Sequence, residues 1–98
     1  MQELIDKVQE IVTFELERAN TIHPPKFNSM HEAYAVILEE YEEAENEWEK
    51  LGVIIGIAWC DIKMDTRSEV WLKRAEKIAI HLAAEAIQVS AMCRKARM

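Results

Sequence analysis

SMHEAYAVILEEYEEAENEWEKL, residues 29–51, sets Met30, Tyr34, Ile37, Tyr41, Ala44, Trp48 and Leu51 at alternating spacings of four and three. That period holds the apolar side chains on one seam of a single helix, as in helices that pack along their length. Ser29 offers its hydroxyl to the free amides of the first turn, and Glu32 stands three positions on, where a capping box needs it. A helix therefore begins at about Met30. Gly52 is expected to end or bend it.

Upstream, Leu4, Val8, Ile11, Val12, Leu16 and Ala19 recur at helical spacing, so Met1 to about Ala19 reads as a first helix. The stretch Asn20 to Ser29 holds both prolines, Pro24 and Pro25, and the residue ahead of a proline avoids helical dihedrals, so a loop crosses here. Downstream, Val53 to Lys63 is apolar and is expected to form a short helix of its own. Thr66 with Glu69 suggests a second capping box, opening a helix from Arg67 to about Ala96.

The 98 residues suffice for one core and not two. Half are hydrophobic and 31% charged, and two glycines with two prolines are too few turn residues for an all-β chain. The expectation is one all-α domain spanning 1–98, an antiparallel bundle of three to four helices. Its long apolar faces exceed what so short a chain can cover, so completion by oligomerisation, as a homodimer or homotetramer, is expected.

Twelve basic and eighteen acidic residues give a net charge of −6, which disfavours a nucleic-acid backbone as partner. The charge is divided: residues 1–50 carry a net −9 and residues 51–98 a net +3. Cys60 and Cys93 are too few and too far apart for a disulfide framework or a C-x-x-C metal site, which fits a reducing cytoplasm. No signal peptide is recognisable, and the longest apolar run, Val53 to Cys60, is far short of the ~20 residues that cross a bilayer.

Seven glutamates fall between Glu39 and Glu49 with no basic residue among them. Stacked like charges at i,i+4 cost an exposed helix roughly 0.2–0.5 kcal/mol per pair. A hydrated solvent face is the plainest account of such a run. The sharper one is a cation, because Glu32, Glu39 and Glu43 share a stripe flanked by Glu40, with the small apolar Ala35 and Val36 between them. On the last helix, Glu85 is the only charged residue between Ile78 and Cys93 apart from titratable His81, and His81, Glu85 and Gln88 share one narrow face. A carboxylate in such surroundings must be paired, coordinated or neutralised.

Spacing eliminates other metal schemes. No histidine has a glutamate three positions before it, as di-iron bundles require, and Ala35 stands where H-E-x-x-H needs its second histidine. Glutamates on two helices suit Mg²⁺ or Mn²⁺, which take oxygen ligands and keep waters that phosphates replace.

Leu38-Glu39-Glu40-Tyr41-Glu42-Glu43 resembles the E-E-x-x-E signature of the MazG-like, all-α nucleoside triphosphate pyrophosphohydrolases, followed in that family by E-x-x-D on a later helix. FNSMHEAYAVILEEYEEA (27–44) and EAIQVSAM (85–92) look like small phage or prophage members, the likeness spanning about 27–50 and 78–94. The resemblance implies a Mg²⁺-dependent enzyme that splits a nucleoside triphosphate into the monophosphate and pyrophosphate. Glu39, Glu40, Glu43 and Glu85 would be metal ligands, with Gln88 where the family has aspartate and a Glu43 to Glu85 interval longer than usual. In that scheme Glu39 or Glu40 would orient or deprotonate the attacking water. Lys73, Arg74, Lys77 and Arg94 are the candidates for phosphate contacts. The competing expectation is a non-catalytic helical interaction protein that keeps the fold and has lost the chemistry at Gln88.

Overall fold

A computed structural model describes residues 1–98 as three helices and no strands: α1 (Gln2–Ile22), α2 (Met30–Lys63) and α3 (Glu69–Ala96). The protein is all-α, as expected. α2 and α3 form a long antiparallel hairpin, and α1 packs on α3 alone. The result is an elongated body of 55 × 29 × 22 Å.

The loop after α1 forms where the prolines place it. His23, ahead of Pro24, is extended at φ −122° and ψ 159° and caps α1. Lys95 of α3 sets its ammonium 4.6 Å from the centre of the Phe27 ring, tying the loop to the far end of the hairpin. At the start of α2 the Ser29 hydroxyl accepts from the Glu32 amide at 3.1 Å. The Glu32 carboxylate turns instead to Asn28, accepting from its side-chain amide at 2.9 Å, so the box is closed through the preceding residue.

Two boundaries differ from expectation. α2 does not stop at Gly52; it runs through Gly52 and Gly56 to Lys63, so the segment 53–63 is the second half of one helix and the bundle has three helices. Glycine costs a helix interior about 1 kcal/mol relative to alanine, and the packing of half-buried Ile54 and buried Ala58 along α2 outweighs that. α3 starts at Glu69 with Ser68 at its cap, not at Thr66. The Ser68 hydroxyl donates to Asp61 Oδ2 at 3.2 Å, closing the turn, and Asp65 supplies its one left-handed residue at φ 58°.

The seam read from Met30 to Leu51 is also displaced. Ile37, Ala44 and Leu51 are half-buried, whereas Tyr34 and Trp48 are each 65% exposed. The buried line of α2 runs instead through Ala33, Glu47 and Ala58, with half-buried Glu40 on it, meeting α3 where Ala75 is buried. Small side chains let two backbones approach closely, and aromatic rings do not. Between α1 and α3 the core is a small cluster of Val12, Leu16 and Ala91, with Val8, Ile87 and Met92 against it. No helix is long and apolar enough to cross a membrane. Cys60 and Cys93 are free and exposed.

Candidate metal centre

The hairpin brings carboxylates from two helices together. Glu40 and Glu43 lie one turn apart on α2, Glu85 faces them from α3, and one carboxylate oxygen of each lies within 4.8 Å of the other two. No lysine or arginine is paired with any of the three. Gln88, one turn beyond Glu85, donates its amide to Glu40 Oε2 at 2.9 Å and to Glu85 Oε2 at 3.2 Å, in the orientation that satisfies its hydrogen bonds.

Two further carboxylates flank the group. Glu15 of α1 is held by a bidentate contact from Arg18, at 2.6 and 2.9 Å. That contact sets its carboxyl below the ordinary value, aided by the Arg18 charge and against an opposing effect of burial. Glu47, buried on the α3 side of α2, is held below the ordinary value chiefly by the Lys50 ammonium at 3.1 Å. His81 Nδ1 is 3.5 Å from Glu47, and its Nε2 is 3.8 Å from Glu85.

The centre has the opposite electrostatics. Burial raises the Glu40 carboxyl, and the charges of Glu43, Glu85, Glu39 and Glu15 raise it further. Glu85 is raised by burial first, then by hydrogen bonding to Glu43 and by its charge, with His81 acting against them. The folded chain thus concentrates negative charge that it does not neutralise with its own cations. Oxygen donors on two helices around such a point fit a hard divalent ion, and Gln88 has a carbonyl oxygen to add if its amide turns over.

A pH dependence follows. Glu40 and Glu85 bind protons more readily folded than unfolded, so their protonated forms favour folding. The metal-free protein therefore loses stability as pH rises from about the ordinary value of 4.5 through their raised folded values. Glu15 and Glu47 act in a lower window: their contribution is present above 4.5 and is lost as pH falls through their lowered values. In EDTA, the Tm is expected to pass through a maximum on the acid side of neutrality. Saturating Mg²⁺ should flatten the neutral-side decline, and a parallel decline with and without Mg²⁺ would count against the centre.

Of the residues expected at the site, Glu40, Glu43, Glu85 and Gln88 come together. Glu39 is exposed beside them and acts on Glu40 through its charge. The basic side chains do not converge there. At 1.5 Å per residue, Lys73, Arg74 and Lys77 lie about 18, 17 and 12 Å along α3 from Glu85, with Arg94 about 14 Å the other way. Arg74 stacks on Trp71, Arg94 donates to the Thr13 hydroxyl at 2.8 Å, and Lys77 lines an open depression with Glu47 and His81. Sequence reasoning passed over Glu15 and Glu47. Glu15 sits between Val12 and Ala19 on the apolar stripe of α1, and Glu47 is a heptad from Glu40, so each had a positional signal.

No protein-family model, curated protein or solved structure matches this chain.

Proposed function

We propose that this chain is a Mg²⁺-dependent nucleoside triphosphate pyrophosphohydrolase of the MazG-like kind, releasing pyrophosphate and a nucleoside monophosphate. The observation that supports this reading is the convergence of Glu40, Glu43 and Glu85 from two helices without a lysine or arginine to pair them. These three carboxylates hold the cation, Mg²⁺ or Mn²⁺, and Gln88 adds its carbonyl oxygen. Once bound there, the cation supplies Lewis acidity and a template for the phosphates. Glu39, exposed and adjacent to Glu40, orients the attacking water and accepts its proton, a role Glu40 shares. Lys77, on the Glu47 and His81 side, is the basic residue best placed to meet a phosphate tail, with Lys73 and Arg74 further along the same helix.

The test is pyrophosphate release from mixed deoxynucleoside triphosphates in Mg²⁺ and in EDTA. Equimolar pyrophosphate and monophosphate in Mg²⁺ alone, reduced at least 100-fold by Glu43→Gln, is the expected result. No release above buffer at high protein concentration would sink the enzymatic reading.

One observation favours a second reading. The Gln88 amide already donates to both Glu40 and Glu85, which partners those acids without a cation. A non-catalytic helical interaction protein with a degenerate centre would be built this way. It would release no pyrophosphate and show no stabilisation by Mg²⁺.

A further inference from the structure

At the end of the bundle opposite the α2–α3 turn, the loop after α1 lies against the start of α2 and the end of α3 and encloses a cleft of about 210 Å³. Pro24 and Phe27 of the loop, Val36 of α2 and Met92 of α3 give it apolar walls. Lys95 forms part of the same wall and is only 5% exposed. Its ammonium lies 4.6 Å from the centre of the Phe27 ring and has no other partner. It makes no hydrogen bond, and no carboxylate lies within 4.0 Å of it. The one acid on the wall is already engaged: Glu32 accepts from the Asn28 side-chain amide at 2.9 Å with one oxygen and from the Asn28 backbone amide at 3.4 Å with the other.

A buried ammonium without an acceptor is costly, because nothing replaces the water it gives up. A ring face offsets part of that cost but accepts none of the three N–H bonds that the group can donate. Charge and size then narrow what the cleft can take. Lys26 and Lys95 against Glu32 leave its walls with one net positive charge before His23 is counted, which a single negative charge balances. A dry cavity of about 150 Å³ holds benzene. The cleft therefore has room for one ring and a carboxylate and not for a whole nucleotide. Its loop is also fixed in advance, by the Ser29 cap, the bond from the His23 amide to the Ala19 carbonyl at 2.9 Å and the Asn28–Glu32 pair, so little ordering opposes binding.

We propose that this cleft binds a small organic carboxylate built on a single planar ring, the carboxylate paired with the Lys95 ammonium and the ring set against Phe27, Val36 and Met92. The site is separate from the glutamate cluster. At 1.5 Å per residue, Lys95 lies about 15 Å along α3 from Glu85, so the inference does not depend on the metal reading.

Benzoate is the probe and benzamide its neutral isostere. Titration calorimetry on the full chain is expected to show benzoate binding at least about tenfold more tightly, the scale of a bond to a charged group. The amide resonances of Phe27, Met92 and Lys95 should shift as benzoate is added. Lys95→Met keeps an unbranched apolar stem without the charge, and should bring benzoate down to the affinity of benzamide. Lys63→Met is the control: Lys63 also stands over a ring, that of Trp59 at 5.8 Å, but it is exposed and about 40 Å along α2 from Val36. That substitution should leave benzoate binding unchanged. If Lys95→Met does not fold, Val36→Phe narrows the cleft while keeping the charge, and should cause a loss of the same order. No binding of benzoate, or equal binding of benzoate and benzamide, overturns the proposal. So does benzoate affinity that Lys95→Met, or Val36→Phe in its place, lowers no more than Lys63→Met does. Inorganic phosphate binding as tightly as benzoate overturns it as well, since phosphate has the charge without the ring.

Discussion

Mg²⁺ raises the Tm of the wild-type protein and leaves that of Glu85→Gln where it was: this is the expected outcome of thermal melts with and without the ion. A ligand bound only by the folded state stabilises it by about 2.7 kcal/mol at a hundredfold excess over its dissociation constant. For a domain of this size that is on the order of 10–20 °C. In the proposed centre Glu85 would be the only charged ligand from α3, so its removal would take away the bridge between the two helices. The substitution should also act in the opposite direction without metal. Glu85 is raised by burial and by Glu43, so a neutral side chain of the same shape removes a repulsion, and Glu85→Gln in EDTA at neutral pH should melt no lower than wild type. A mutant that melts lower in EDTA and still responds to Mg²⁺ would show that Glu85 is a structural group and no ligand.

The fold was legible in the chain where local chemistry acts alone. Ser29 caps α2, the Pro24–Pro25 pair interrupts the helices, and apolar spacing marks all three helices. What the sequence concealed was competition between helices. Periodicity finds an apolar stripe on α2 but does not say which structure covers it. The protomer buries Ala33, Glu47 and Ala58 of the neighbouring line against α3, with Glu40 half-buried among them, and leaves Tyr34 and Trp48 outside. Gly52 misled for a related reason, since its propensity cost is small beside the packing of a 34-residue helix.

The carboxylates were legible as a set because glutamates in a helix declare their angular positions. The assignment among them was not. The shared stripe singled out Glu39 with Glu43, and the helix turned Glu40 inward instead, because the line facing α3 is displaced from the apolar seam. The basic residues were chosen by charge and proximity in sequence, and helix rise separates them from Glu85 by two turns or more. Glu15 lay out of reach of any pairwise argument, since its approach to Glu40 depends on how α1 crosses α3.

Gln88→Asp divides the two functional readings most widely. In the wild-type chain the Gln88 amide donates to Glu40 and Glu85, so the substitution removes two hydrogen bonds to carboxylates and adds a fourth negative charge. Hydrogen bonds to charged groups contribute about 1.5–3 kcal/mol each, and the site's access to water reduces that. Destabilisation on the order of 2–3 kcal/mol in EDTA is therefore expected under either reading. Mg²⁺ separates them. If the chain is a pyrophosphohydrolase, a fourth carboxylate tightens the cation, the Mg²⁺-dependent rise in Tm exceeds that of wild type, and pyrophosphate release increases at least tenfold. If Gln88 instead completes a centre that no cation enters, the variant stays destabilised at every Mg²⁺ concentration and releases nothing. The decisive comparison is the slope of Tm against the logarithm of Mg²⁺ concentration for the two proteins, measured beside their activity. Two flat lines would remove the metal from the account of this site.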